Sequence, residues 1–291
     1  MTTYSSTLIS QATNHLKDWK TIQAEIHRSE YADFFKKWYP EIMTRSVPIS
    51  IPEIWALMDR AWDEMGIEKS NDLLSYYRHP VWWLNAKVEE TDEASILHRL
   101  LVAELSTQFS PKKTLDRGGG YGLLARIAHE SLTDVEIDVD DVIDDAATRD
   151  LTLKFPHIHY VNAPSPPYDL IWSLEVFEHL PDPFAEIKYI NSLLRDGGVL
   201  ITSYSFFPMI KCHLSQNLYL HSVFHHIFSL MGFKLLYSER PSITVWVFQK
   251  VYQCNTLQMQ IVRTAIYLFK PLIMLFNTVR NLASRTIKRL V

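Results

Sequence analysis

Apolar side chains recur at three- and four-residue spacing through residues 1–95, a stretch with a single glycine, Gly66. That period puts apolar residues on one face of successive helices. The clearest case is Ile51-Pro-Glu-Ile-Trp-Ala-Leu-Met-Asp-Arg-Ala-Trp62, with Ser50 placed to cap it and Pro52 suited to a first turn. Residues 76–84 are strongly aromatic and are expected to pack onto the domain that follows. A helix over 92–109 leads out of this region. From about 112 to 252, short apolar runs alternate with helical patterns. Strands are predicted at 112–117, 134–140, 158–162, 168–173, 198–204, 233–238 and 243–250, and helices at 122–131, 142–152, 183–194 and 218–230. Such alternation builds an α/β fold with a mainly parallel sheet covered on both faces. The short connection at 238–242 makes the last two strands an antiparallel hairpin. Residues 257–291 return to a helical period with a bend expected at Pro271. The expected organisation is a helical N-terminal cap at 1–95, an α/β domain at 96–255 and a basic amphipathic C-terminal helix at 256–291.

The chain has 291 residues, 47% apolar and 21% charged, ordinary proportions for a globular protein with a core of normal size. Its formal charge of −4 hides an asymmetry. Residues 256–291 hold Arg263, Lys270, Arg280, Arg285, Lys288 and Arg289 and no acid, so removing that +6 leaves −10 on residues 1–255. An acidic body argues against a general nucleic-acid binder. The tail interleaves its cations with Ile261, Ala265, Leu268, Leu272, Leu275, Phe276, Val279, Leu282 and Leu290, which makes 257–291 a candidate for peripheral membrane contact. The competing expectation is a helix packed on the domain or on a partner subunit. Two cysteines, Cys212 and Cys254, make neither a disulfide framework nor a zinc site by themselves. There is no basic-then-apolar leader and no apolar run of about 20 residues, so a cytoplasmic protein, peripheral at a membrane if the tail binds one, is expected.

Residues 115–122 read Leu-Asp-Arg-Gly-Gly-Gly-Tyr-Gly between a predicted strand and a predicted helix. Glycine reaches φ > 0 and lets backbone N–H groups approach a ligand with no Cβ in the way, so this turn suits a nucleotide-like group. The dinucleotide fingerprint needs a third glycine three residues after the second. That position is Leu123, which disfavours NAD. Asp116-x-Gly118-x-Gly120-x-Gly122 resembles instead motif I of class I S-adenosylmethionine-dependent methyltransferases. Two residues depart from the pattern. Arg117 stands where an apolar strand residue is usual, and Gly119 replaces a small side chain, which is expected only to loosen the loop. The next strand ends in Val135-Glu-Ile-Asp-Val-Asp-Asp141, where a carboxylate can accept both ribose hydroxyls of an adenosine. Asp138 and Asp140 both qualify, and the register between them stays open.

The third constellation is Tyr168-Asp-Leu-Ile-Trp-Ser-Leu-Glu-Val-Phe-Glu-His-Leu-Pro-Asp-Pro183, followed by Leu193-Leu-Arg-Asp-Gly-Gly-Val-Leu-Ile201. It closely resembles motif IV and the glycine turn opening motif V of the same family, with Asp196 in place of a usual proline. Together with the glycine loop, the resemblance covers about residues 95–250. It implies a Rossmann-like seven-stranded, mostly parallel sheet with an antiparallel final hairpin, and S-adenosyl-L-methionine as cofactor. It further implies Asp116 near the methionine amino group, Gly118, Gly120 and Gly122 around the cofactor, and Asp138 or Asp140 on the ribose. Asn162, replacing a common aspartate, and Ala163 would lie by the adenine. Ser173 and Leu174 would line the methionine side.

Glu175, Glu178 and His179 share one face if a helical turn starts there. Two carboxylates and an imidazole suit a divalent metal. The Glu-x-x-Glu-His pattern resembles the metal-binding motif of ubiquinone-pathway O-methyltransferases and small-RNA 2′-O-methyltransferases, with His213, His221, His225 and His226 available as further ligands. Members with no known metal carry the same residues, so no metal is assigned. His179 and Glu175 are assigned as catalytic, His179 as a base with an ordinary pKa near ~6.5. The expected function is methylation of an oxygen on a small-molecule, sugar or lipid-linked acceptor. The rivals are a metal-assisted RNA methyltransferase and a non-catalytic S-adenosylmethionine-binding or scaffold protein.

Overall fold

The computed structural model describes residues 4–143, 145, 148, 153–240 and 243–290, with residues 281–290 as backbone only. Nine of its described helices precede the first strand: α1 (Ser6–His15), α2 (Trp19–Arg28), α3 (Ala32–Trp38), α4 (Pro40–Met43), α5 (Ile51–Glu64), α6 (Ile67–Ser70), α7 (Leu73–Tyr77), α8 (Pro80–Glu89) and α9 (Glu93–Thr107). There follow β1 (Lys113–Arg117), α10 (Leu123–His129), β2 (Glu136–Asp140), β3 (Ile158–Tyr160), β4 (Tyr168–Leu174), α11 (Pro183–Leu193) and β5 (Leu194–Ser203). The chain ends in α12 (Phe224–Leu230), β6 (Phe233–Glu239), β7 (Val245–Lys250), α13 (Thr256–Leu268) and α14 (Lys270–Leu290). The sheet order is β3-β2-β1-β4-β5-β7-β6. Strands β1, β2 and β3 pair in parallel, as do β4 and β5, while β7 runs antiparallel to both β5 and β6. All seven expected strands and the final hairpin are present. The helix expected at 142–152 falls largely outside the described residues.

Contacts group the chain into two units, Met1–Pro164 with Arg240–Ile243 and Ser165–Glu239 with Thr244–Val291. The division runs through the 96–255 stretch because α9 lies against both α1 and α10, which joins the helical cap to the first strands.

In the first unit, α5 starts where its cap signal stands. The Glu53 carboxylate accepts the Ser50 N–H and hydroxyl at 2.8 and 2.7 Å, and Pro52 sits in the first turn. Its inward face carries Ile54, Met58, Ala61 and Trp62. The aromatic residues of 76–84 pack within the helical region, while Arg78 among them donates to Val142 O, just past β2, at 2.9 Å. Tyr76 meets Trp62 and Trp82 edge-on at 5.0 and 5.7 Å, and Trp83 lies against Phe35. They build the core of the helical region itself, because residues 1–95 supply enough apolar surface to bury them there.

In the second unit, β4 buries both faces from Leu170 to Ser173, as a central parallel strand does. Strand β5 begins earlier than its apolar run suggests. Leu194 pairs with Tyr168 and Val199 with Leu170, so 195–198 bulges within the strand rather than turning before it. Gly197 takes φ 72°, and Arg195 closes the bulge on Asp169 at 2.6 Å. The helix expected at 218–230 is a 3-10 stretch at Ser215–Ser222 followed by α12. Asn217 donates to the Leu180 carbonyl at 2.7 Å and Leu214 N–H to the Glu178 carbonyl at 3.0 Å, and these ties hold the stretch off a regular helix.

Asn191, fully buried on α11, closes the return from β7. Its Nδ2 donates to Tyr252 O at 3.1 Å and its Oδ1 accepts Cys254 N–H at 2.8 Å. Asn191→Leu strands these peptide groups and is expected to cost about 2 kcal/mol. Urea unfolding reads this, and an unchanged midpoint would refute the role.

Candidate functional site

The glycine loop lies in the first unit between β1 and α10. Gly118, Gly120 and Gly122 take φ of 72°, 53° and 66°, which residues with a Cβ adopt only under strain. Gly119 does more than loosen the loop. A Cβ there would lie 2.6 Å from Asp116 Cγ and 2.8 Å from Val139 Cγ1, so glycine is what makes room for the acid. Asp116 is buried, and its Oδ2 has no hydrogen-bond partner. Burial pushes its carboxyl up to about 7 against the pull of Arg99, and the charge of Asp141 adds to the rise. A ligand ammonium would satisfy that oxygen.

The two acids expected to contact ribose already face cations. Asp140 pairs with Arg117 at 2.7 Å, and Asp138 lies 3.7 Å from Lys113. Arg117 is therefore the counter-charge that lets a second acid stand at this strand end. The carboxylate that reaches the loop is Asp141, whose Oδ2 accepts Gly120 N–H at 2.8 Å. Strand alternation ranks only strand positions, and Asp141 lies one residue past β2; the doubled acid was its only signal in the sequence. Tyr160 was also missed. Its hydroxyl donates to Gly120 O at 3.2 Å and lies 2.8 Å from where a Gly122 Cβ would stand. Asn162 and Ala163 are exposed in the loop after β3.

The second unit carries the other candidates. Ser173 and Leu174 end β4; Ser173 is fully buried, and its carbonyl accepts the Thr202 hydroxyl at 2.6 Å. Glu175 then takes φ 53°, a strained value for a residue with a side chain, and its N–H donates to Ser203 O at 2.9 Å. The following turn, Phe177–His179, is 3-10, so Glu175 precedes it instead of sharing its face. Glu178 is wholly buried, and its Oε1 accepts Ser205 N–H at 2.8 Å. Burial, reinforced by the charge of Glu175, pushes Glu178 well above the usual carboxylate range.

His179 departs from the ordinary imidazole expected. Burial, with His213 beside it, lowers its pKa to about 3, so the ring is neutral at physiological pH. Its Nδ1 lies 3.1 Å from Cys212 O and that of His213 2.7 Å from Phe207 O. A carbonyl only accepts, so both Nδ1 atoms carry the proton, and neutral His179 keeps the lone pair on its Nε2. The two rings meet edge-on at 4.9 Å. Of the four histidines considered as further ligands, only His213 joins this cluster. His221 packs on Phe207, and His225 lies against His226 and Trp246. One donor atom each from Glu178, His179 and His213 lies within 4.8 Å of the others. Two imidazoles oriented from behind by backbone carbonyls, with the Glu178 carboxyl beside them, fit a divalent cation.

A family described as a methyltransferase domain matches residues 90–235. The ubiquinone biosynthesis O-methyltransferase of Coxiella burnetii is 27% identical over 141 residues, 46% of this chain and 58% of that protein, so the chain spans little more than half the relative's length. Among solved structures, the CurJ carbon methyltransferase aligns at 13% identity with a TM-score of 0.52, over 76% of this chain and 70% of that one. Human N-acetylserotonin methyltransferase, solved with S-adenosylmethionine, aligns at 16% identity with a TM-score of 0.48, over 68% and 66%. The CurJ likeness speaks for the fold alone. With its glycine loop, its seven-stranded sheet and this match over half its length, the chain belongs to the methyltransferase-domain family, the class I methyltransferases that use S-adenosylmethionine.

Proposed function

We propose that the protein transfers the methyl group of S-adenosyl-L-methionine to an oxygen of a small-molecule, sugar or lipid-linked acceptor. The observation that carries the cofactor assignment is the unpartnered, buried Asp116 Oδ2 beside three glycines at positive φ. Asp116 would take the methionine ammonium, and one of Asp138, Asp140 and Asp141 the ribose hydroxyls. Asn162 and Ala163 are left for the adenine, and the assignment of Ser173 and Leu174 to the methionine side rests on the family resemblance. Oxygen as the acceptor atom is supported by the 27% identical relative, named an O-methyltransferase, and by the Glu-His cluster.

Bound S-adenosylmethionine supplies an already activated methyl group, so the protein has to align the acceptor and manage its proton. In the second unit, neutral His179 offers its Nε2 lone pair to that proton, and Glu175 stands just ahead of the His179 turn. A second reading is favoured by the ligand spacing: Glu178, His179 and His213 would hold a divalent cation, which would lower the acceptor hydroxyl's pKa. The charge of −10 on residues 1–255 disfavours an RNA acceptor.

Titration calorimetry is expected to show one S-adenosylmethionine bound per chain, and no heat at millimolar cofactor would sink the proposal. Transfer of labelled methyl to a panel of phenols and sugars then separates the readings. Activity lost to EDTA and restored by Mg2+ or Zn2+ selects the cation, and activity indifferent to EDTA selects His179 as the base. Cofactor binding without transfer to any acceptor points to the scaffold.

A further inference from the structure

We infer that α13 and α14 lie along the surface of an anionic lipid bilayer and hold the protein there. Ten large apolar side chains between residues 257 and 279 are more than half exposed: Leu257, Ile261, Tyr267, Leu268, Phe269, Leu272, Met274, Leu275, Phe276 and Val279. Elsewhere among the described residues only Val47, Leu153, Leu230 and Val251 are exposed to that degree. Scattered exposed apolar residues are normal, but a concentration of this size marks an interaction surface.

The fold does not need this surface, because both helices already spend another face on packing. On α13, Met259 and Val262 are buried, with α11 as the neighbour. On α14, Ile273 is buried, Asn277 donates to Tyr219 O at 3.1 Å and Lys270 lies over the Tyr219 ring at 4.7 Å. Leu272, Leu275, Phe276 and Val279 follow the i, i+3, i+4, i+7 spacing of a separate stripe that is left more than half exposed among the described residues.

Charge and shape choose the occupant. The segment 256–291 brings six cations and no acid, while the rest of the chain carries −10. An anionic headgroup layer attracts the helices and repels the body, which also sets the orientation. A twofold contact with a second copy would place two such cationic segments together. Among the described residues no single helix is long and apolar enough to cross a membrane; only the pair, broken by 57°, passes by length and composition. A pair so bent suits the interface plane. A shallow groove of about 570 Å³ at the bend, lined by Tyr267, Lys270, Pro271 and Met274, adds an aromatic ring and a cation suited to headgroup depth.

Helix α14 grips the 215–222 stretch, which starts two residues after His213 in the same unit. Docking would therefore bring a bilayer close to the Glu178–His179–His213 cluster. A membrane-borne acceptor is a corollary that rests on the methyltransferase reading; the docking does not.

Flotation of the full chain with phosphatidylcholine vesicles, with and without phosphatidylglycerol, tests the proposal. The protein is expected to float roughly tenfold better or more with the anionic vesicles and to be released by high salt. Leu272→Ser, Leu275→Ser and Phe276→Ser together should abolish flotation with an unchanged thermal melt. Arg280→Gln with Arg289→Gln should lower partitioning roughly 25-fold, about fivefold per cation. Undiminished flotation of the serine variant, binding that resists both salt and carbonate, or a dimer formed through the stripe with no vesicle binding would each overturn it. S-adenosylmethionine calorimetry on the same variants reads the enzymatic proposal separately.

Discussion

Replacing Gly119 by alanine is expected to weaken S-adenosylmethionine binding by roughly tenfold to a hundredfold, the equivalent of the ~1–3 kcal/mol that overpacking costs. The new Cβ would stand 2.6 Å from Asp116 Cγ, 2.7 Å from its Oδ2 and 2.8 Å from Val139 Cγ1. Neither neighbour can yield cheaply, since Asp116 and Val139 are register partners in the β1–β2 pair and both are buried. The collision is relieved only by moving the Asp116 carboxyl or parting the strands, and either shift displaces the oxygen proposed for the ammonium. Gly120→Ala is the control. It meets no atom within 4 Å and bears only the strain of φ 53°, on the order of 1 kcal/mol. Calorimetry with the cofactor, alongside thermal unfolding, distinguishes the two substitutions. Wild-type affinity in Gly119→Ala would show that Asp116 does not need its present place.

The parts of this protein that obey period and spacing were legible in its sequence, and the parts that depend on a chain's return route were not. Buried parallel strands read as apolar runs, so β1 to β7 could be placed within a few residues. The Gly197-Gly198 pair looked like a turn before β5, but a turn and a bulge demand the same positive φ, and only the Arg195–Asp169 pair made it a bulge. At the candidate site, Glu178 and His179 announced themselves as a motif. Their partner did not: nothing in the spacing of His213, His221, His225 and His226 says which one comes back. That choice is made by Leu214 N–H on Glu178 O and by Asn217 on Leu180 O, contacts across 35 or more residues. The low pKa of His179 was equally hidden, because it comes from burial, which a motif does not encode.

Glu90→Gln is expected to destabilise the protein by about 3–5 kcal/mol, the range for breaking a buried ion pair from one side. Glu90 is 2% exposed and faces Lys17 Nζ at 2.5 Å, Lys87 Nζ at 3.0 Å and Arg126 Nη2 at 3.1 Å. It thereby joins the link between α1 and α2, helix α8 and helix α10, whose first turns follow the glycine loop. Glu25 touches only the two lysines, at 2.7 and 2.9 Å, so Arg126 would lose its buried partner. Burial alone would raise the Glu90 pKa, but Arg126, Lys87 and Lys17 outweigh it and hold the carboxyl at about 2, against an ordinary 4.5. A shift of that size corresponds to about 3 kcal/mol, in line with the mutational range. Because the folded-state pKa is the lower one, the contribution is complete above about pH 4.5 and is lost as the pH falls toward 2. Denaturant unfolding of wild type and variant should show a stability gap that is constant near neutrality and narrows below about pH 4.5. A gap below about 1 kcal/mol at neutral pH, or one that does not narrow in acid, would mean that the three cations find other partners and that Glu90 is not what ties these helices together.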